Sequence, residues 1–256
     1  MDIFKEIVAL KSERIPAVLT TVVEVVGSAP GKPGARMIVK ADGSTVGTIG
    51  GGAIEKRITE EALTMMQGRG ARLLTYELKD IGMVCGGGMS VFLEPLVDAH
   101  PLIIFGAGHI GSALSKITAM LGFTTAVVDN RPEFADGEKL PWADRVIAND
   151  YQKALHDLSF SDNTFVVILT HRHAHDFEIL EHCIKQPFSY LGMIGSRKKV
   201  DKAFEQLREK GVDEATIKRI HAPIGMNIGA ESPQELAVAI AAQLVAVRSG
   251  FAITAK

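Results

Sequence analysis

The sequence predicts an α/β chain in two parts, a strand-rich α/β domain over residues 1–98 and a doubly wound parallel sheet over residues 99–256. Three observations predict it. Up to residue 96, β-branched runs follow one another and one long helical stretch interrupts them. From Pro101 onward, short apolar runs alternate with helical stretches, as in a parallel sheet covered on both faces. The join at Asp98-Ala99-His100 is short and polar.

The elements follow in order. MDIFKEIVALK has the spacing of an amphipathic helix and lacks the charged, apolar and cleavage regions of a secretion signal. PAVLTTVVEVV is a strand, and ARMIVK and STVGTI flank a turn at Asp42-Gly43. AIEKRITEEALTMMQ is a helix with Ile54, Ile58, Ala62 and Met65 on one face. RLLTYEL and MSVFLEPL complete the first set of strands. In the second part LIIF leads into a helix ending near Leu121, and TTAVV, DRVIA, TFVVIL and YLGMI follow as strands with helical stretches between them. The apolar helix QELAVAIAAQLVAV closes the pattern.

Composition narrows the function. With 28 Lys+Arg against 30 Asp+Glu the net charge is −2, which lacks the concentrated basic surface that nucleic-acid phosphates need. The apolar run from Leu236 to Val247 is interrupted by Gln243 and is too short to span a bilayer. Two cysteines make no disulfide framework, and a reducing, cytoplasmic setting is expected. The 25 glycines are clustered, so backbone is expected to approach something closely at several places.

Gly106-Ala107-Gly108-His109-Ile110-Gly111 follows a strand and opens a helix, the setting in which backbone amides meet a phosphate. Asp129 ends the next strand, 23 residues after Gly106, where an acid accepts hydrogen bonds from ribose hydroxyls. The alternative is a Rossmann-type domain whose glycines serve only packing. Gly50-Gly51-Gly52 precedes a helix with Glu55 in its first turn; its amides suit an anion or a polar ring, and Glu55 also suits the helix dipole. Cys85 with Gly86, Gly87 and Gly88 lies between two strands, as a soft ligand, a sulfur relay or a small hydrophobe.

Thr170-His171-Arg172-His173-Ala174-His175-Asp176 lies at the carboxyl end of TFVVIL, where open α/β sheets hold ligands. A persisting strand would put His171, His173 and His175 on one face, open to a metal or to direct ligand contact, with Asp176 as N-cap of the helix after it. Ser196 is a candidate cap, and Arg197 and Lys198 could meet a phosphate or carboxylate. Ser232, Pro233 and Glu235 form a well-made helix start.

Taken together these strings resemble the XdhC/CoxI family of molybdenum-cofactor accessory proteins. The matching strings are GSAPGKPGARM (27–37), GTIGGGAIE (47–55), CGGGM (85–89), FGAGHIGSAL (105–114), DNRPEF (129–134), THRHAHD (170–176), GMIGSRKK (192–199) and PIGMNIGAESPQELAVAIAAQLVA (223–246). Gly31 stands where the family often has a basic residue, and Asn227 where Asp is common. The resemblance implies an N-terminal XdhC/CoxI domain and a C-terminal Rossmann domain. It implies a dimer that binds molybdenum cofactor (molybdopterin), keeps its sulfurated form intact and delivers it to a xanthine-dehydrogenase-type hydroxylase. A cysteine desulfurase would supply the sulfur.

The candidate cofactor-binding residues are Gly50, Gly51, Gly52, Glu55, Cys85, Gly86, Gly87, Gly106, Gly108, His109, Gly111, Asp129, Arg131, His173, His175 and Arg197, with Cys85 also the candidate soft donor to metal. No catalytic residue is assigned. Two alternatives stand beside this one: an NAD(P)-dependent oxidoreductase using the Rossmann glycines, with His173 or His175 as proton donor, and a metal-dependent hydrolase built on the histidines.

Overall fold

A computed structural model describes residues 2–13, 15–66, 70–82, 86–96 and 100–251, with only the backbone of His173 and Ala174. The chain divides into two compact units, Met1–Ala99 and His100–Lys256. The first is built on an antiparallel sheet and the second on a parallel one, so the chain is of the mixed α/β class.

In the first unit α1 (Ile3–Ser12) starts at Asp2, whose carboxylate accepts the Phe4 amide at 3.0 Å. The strands are β1 (Ala17–Val26), β2 (Arg36–Lys40), β3 (Thr45–Gly47), β4 (Arg72–Glu77) and β5 (Gly88–Pro95), in the order β3-β2-β1-β5-β4. Helix α2 (Ala53–Met66) buries Ile54, Ile58, Ala62 and Met65, the stripe the sequence spaces at helical intervals. They pack on Val18, Val22, Met37, Val39, Met89, Val91 and Leu93 from the three central strands, while Leu10 of α1 packs with Ala17, Ile38, Val46 and Leu96 in a second, smaller cluster.

The second unit contains β6 (Pro101–Phe105), α3 (His109–Met120), β7 (Thr124–Asp129), β8 (Arg145–Ala148), α4 (Tyr151–Asp157), β9 (Phe165–Ile168), α5 (His173–Cys183), β10 (Tyr190–Met193), α6 (Arg197–Glu209), α7 (Glu214–Ile217), β11 (Ile220–His221) and α8 (Pro233–Arg248). The strand order is β11-β10-β9-β6-β7-β8, all parallel. Alternation along β6 sends Ile103 and Phe105 to the face covered by α4, α5 and α6, and Leu102 and Ile104 to the face covered by α3 and α8. The segment between β7 and β8, read from sequence as helical, is a run of turns. β11 is too short for a sequence signal.

Two polar details fix α8. Gln243, which interrupts the apolar run of α8, is buried and its side-chain oxygen accepts the Tyr190 hydroxyl at 2.6 Å and the Gly225 amide at 2.8 Å. Its polarity is therefore satisfied inside the core. Ser232 and Glu235 form a reciprocal capping box, with Pro233 in the first turn.

Strand order reverses between β6 and β9, which opens a crevice at their carboxyl ends. Gly106 sits there with φ +113°, and a Cβ on it would lie 2.3 Å from the Leu169 carbonyl oxygen. A Cβ on Gly111 would lie 1.9 Å from the Gly106 carbonyl oxygen. Both glycines are therefore demanded by backbone packing against backbone. Gly108 differs, because a Cβ there meets nothing within 4 Å.

Gly111→Ala is expected to lose about 3 kcal/mol through overpacking against a carbonyl that cannot move aside. In thermal denaturation its midpoint should fall by about 6–12 °C. Gly108→Ala should stay within about 1 kcal/mol of the parent chain. Equal melting of the two variants would show that the third glycine is not a packing residue.

Candidate functional site

The turn after β6 carries three glycines with separate tasks. Gly106 lets the chain leave the strand beside Leu169 and Thr170, and Gly111 lets α3 close on the turn. Gly108 is the helix N-cap and leaves an open face toward solvent, where a ligand can approach backbone. His109, the first residue of α3, is exposed.

Asp129 ends β7 fully buried. One carboxylate oxygen accepts the Arg131 amide at 3.0 Å and its Nε at 2.9 Å. The other accepts the Ala107 amide and Arg131 Nη2, both at 2.8 Å. Burial alone would push this carboxyl up, but the Arg131 guanidinium and the Ala107 and Arg131 amides outweigh it and hold it below the usual carboxylate range. The expectation that Asp129 accepts ribose hydroxyls therefore needs correction. A carboxylate has about four acceptor sites, and all four are taken within the chain. Arg131 is fixed in turn, with its guanidinium 3.9 Å from the Phe134 ring centroid.

The histidine segment is not a strand. β9 ends at Ile168 and α5 begins at His173, so the two-residue period that would align three histidines does not apply. Asp176 is not the N-cap; it lies inside the first turn and accepts the Thr170 amide at 3.0 Å and hydroxyl at 2.6 Å. That bond returns the helix start to the end of β9. His171 and His175 have ring centroids 6.0 Å apart, and His175 lies 5.3 Å from the ring of Tyr151. Partial desolvation and then the Arg131 charge hold the His171 imidazole below the ordinary histidine value. The side chain of His173 lies outside the described residues. Among the described residues, no group of three His, Cys, Asp or Glu is placed to hold a metal ion.

The first unit gathers its glycine-rich strings in one place. A Cβ on Gly50 would lie 2.7 Å from the Gly31 amide nitrogen, and one on Gly31 2.3 Å from the Ile49 carbonyl oxygen. One on Gly87 would meet the carbonyl oxygens of Val26 and Ser28 at 2.4 and 2.5 Å. Gly50, Gly51 and Gly52 all have positive φ, at 131°, 80° and 73°. The amides of Gly50 and Gly51 are not free as the sequence suggested. One Glu55 oxygen accepts Thr48 Oγ1 at 2.5 Å, the Ile49 amide at 3.0 Å and the Gly51 amide at 2.9 Å, while the Gly50 amide goes to Thr48. Partial burial opposes ionisation of Glu55, and these donors overcome it and lower its titration. Glu55 is thus the clasp of the loop. Gly86 is exposed, whereas Cys85 lies outside the described residues.

Arg197 opens α6 on the surface, and Ser196 is its N-cap residue without a capping hydrogen bond from its hydroxyl. Residues that sequence reasoning missed are Thr48, Asn130, Phe134 and Tyr151. Tyr151 is only 1% exposed, yet among the described residues no acceptor meets its hydroxyl proton, and no donor meets the buried Asn130 side-chain oxygen. The one signal for Tyr151 was its place at the start of α4, after a strand of the parallel sheet. A cleft of about 410 Å³ lies on the open face of the glycine turn, lined by Gly108, His109, Ser112, Lys116, Phe134 and Lys139. Lys116 and Lys139 carry no motif.

The fold and this geometry define a two-part α/β protein with a ligand-type glycine turn at the switch point of its parallel sheet. The chain belongs to the XdhC and CoxI family. The model of the XdhC Rossmann domain matches residues 102–244, and that of the XdhC and CoxI family matches residues 10–77. Among curated relatives, "Uncharacterized protein YqeB" of Escherichia coli K12 is 39% identical over 97% of this chain, which spans 47% of that protein's length. A protein of Bacillus subtilis 168 named as a probable xanthine dehydrogenase subunit is 23% identical, covering 96% of this chain and 97% of its own length. "Molybdenum cofactor insertion chaperone PaoD" of Escherichia coli K12 is 27% identical over 91% of this chain and 83% of its own. A crystal structure described as a xanthine dehydrogenase from Bacillus halodurans shares the fold, with TM-score 0.55, 24% identity and coverage of 100% and 98%.

Asp129→Asn tests the knot at the end of β7. The amide group sets donors against donors, so the variant should lose about 3 kcal/mol at neutral pH. Because the native carboxyl titrates below its unfolded value of about 3.9, its stabilisation is complete above that pH. It is lost as pH falls through the folded value. Denaturant melts should therefore show wild type and variant converging on acidification below about pH 4; a constant gap would remove the carboxylate from the account.

Proposed function

We propose that the chain is an XdhC-type accessory protein that binds molybdenum cofactor, protects its terminal sulfur and passes it to a xanthine-dehydrogenase-type hydroxylase. The observation that carries this is the likeness, over 91% of the chain, to a relative named as a molybdenum cofactor insertion chaperone. The family models on both parts of the chain support the same role. A cysteine desulfurase as sulfur source, a homodimeric state and a cytoplasmic setting belong to the proposal. Among the described residues, no helix is long and apolar enough to cross a membrane.

The cofactor is cargo, a reduced pterin carrying a dithiolene, a metal centre and a phosphate. Gly108 and His109 at the open end of α3, with Arg131 beside them, suit its anionic end. His173 and His175 are proposed as ligand contacts and Arg197 as a further cation. In the sequence Gly86 and Gly87 follow Cys85, the proposed soft donor to the metal–sulfur centre. Gly50, Gly51 and one oxygen of Glu55 act here by shaping the adjoining loop, since their bonds are spent internally, and Gly52 is proposed beside them as a cofactor contact. A chaperone must also release its cargo, which favours backbone contact over many charged clamps. An oxidoreductase reading loses its ribose acceptor, because Asp129 is saturated.

The test is retention and transfer. Protein purified without oxygen should yield a fluorescent oxidised pterin and activate an apo-hydroxylase. Cys85→Ser should melt like the parent chain and transfer less active cofactor, since a hydroxyl is a poor donor to a soft metal centre. Gly108→Val should fold and retain less pterin, because its side chain fills the open face. Pterin-free protein whose addition leaves the apo-hydroxylase inactive would end the proposal.

A further inference from the structure

The carboxyl end of β7 is built to present a cation. In sheets of this kind an acid at this position accepts ribose hydroxyls. Asp129 has no capacity left, since each oxygen already takes two donors. It grips Arg131 side-on, through Nε and Nη2. A guanidinium has five N–H groups, so this grip leaves the end-on edge of Nη1 and Nη2 facing away from the carboxylate. Among the described residues no acceptor meets Nη1. The side chain is 24% exposed and stacked on Phe134, so the edge is both reachable and held still.

The surroundings supply further donors. His171 is exposed and close enough for the Arg131 charge to act on its imidazole. On the inner side, Tyr151 is buried, its hydroxyl oxygen facing the Asn130 amide and its proton without an acceptor among the described residues, within reach of the charges of Asp129 and Arg131. Burial holds its proton on the phenol, so it is a donor. The neighbouring Asn130 side-chain oxygen is an acceptor that no donor meets among the described residues. Proteins leave few buried polar atoms without partners, and two beside one outward guanidinium mark a place for a ligand.

We propose that this corner reads a phosphate monoester instead of a ribose diol, with Arg131, His171 and Tyr151 each donating to one terminal oxygen and Asn130 accepting from a hydroxyl on the ligand. Three donors from three elements match three terminal oxygens, where a carboxylate offers two. The monoester's carrier is a separate matter: a phosphorylated pterin would deepen the chaperone proposal, and a 2′-phosphorylated nucleotide would not.

Calorimetry on the full chain with two probe pairs separates these. The first pair is adenosine 2′-monophosphate against adenosine. The second is the oxidised cofactor pterin with its terminal phosphate against the same pterin after phosphatase treatment. In one pair or both, the phosphorylated member should bind about tenfold tighter, the worth of one charged hydrogen bond. Arg131→Lys keeps a cation opposite Asp129 while losing the flat edge, and His171→Ala alters an exposed ring, so both should fold. Each should remove most of the preference by weakening binding of the phosphorylated member. Preference in the pterin pair supports both proposals; preference in the adenosine pair alone supports this one and takes pterin away from this corner. No preference in either pair, or a preference that survives both substitutions, overturns the inference whatever the protein does with cofactor.

Discussion

In the second unit, much depends on one buried carboxylate. Asp129 joins the end of β7 to the glycine turn after β6 through the Ala107 amide, and it holds Arg131 in place. An ion of this kind inside a protein is tolerable only when every lone pair is met. Here the backbone supplies two donors and one guanidinium the other two. The turn is thereby set at a fixed distance from the second strand, and the cation beside it has one orientation. Removing either partner would leave the other charge uncompensated.

Glycine does two different jobs in this chain, and only geometry separates them. Gly106, Gly111, Gly31, Gly50 and Gly87 sit where backbone meets backbone, and a Cβ on any of them would fall within 3 Å of a main-chain atom. Gly108 and Gly51 have open space around the missing side chain. Gly51 is nevertheless held to glycine by its φ of 80°, while Gly108 has an ordinary φ of −67°. Gly108 is therefore required neither by packing nor by backbone conformation, and glycine is in any case a common helix N-cap.

The same solution appears in the first unit with other residues. Glu55 collects the Thr48 hydroxyl and the Ile49 and Gly51 amides, much as Asp129 collects Ala107 and Arg131. In both places a carboxylate lowers its own titration by organising a glycine-rich turn. What such a turn offers a ligand is then its remaining surface and not its whole set of amides. For this reason the glycine clusters overstate the number of backbone donors that cargo could use.

Local pattern determined much by itself. The mixed α/β class, the buried stripe of α2, the capping box at Ser232 and the alternation of strand and helix are all signalled by residues close together in sequence. The glycine turn after β6 and the position of Asp129 were legible too, because a strand-turn-helix unit is a local event. Tertiary structure decided what those residues do. Whether Asp129 has a lone pair to spare depends on Ala107, 22 positions away, and on how Arg131 turns back. Whether Gly111 serves packing and Gly108 does not depends on where the Gly106 carbonyl lies. The histidines could not be aligned from their spacing, since the strand ended at Ile168 and a helix began at His173. Spacing sets which side chains can share a face, but satisfaction of a buried polar group is counted over all its neighbours, and most of those are distant in sequence.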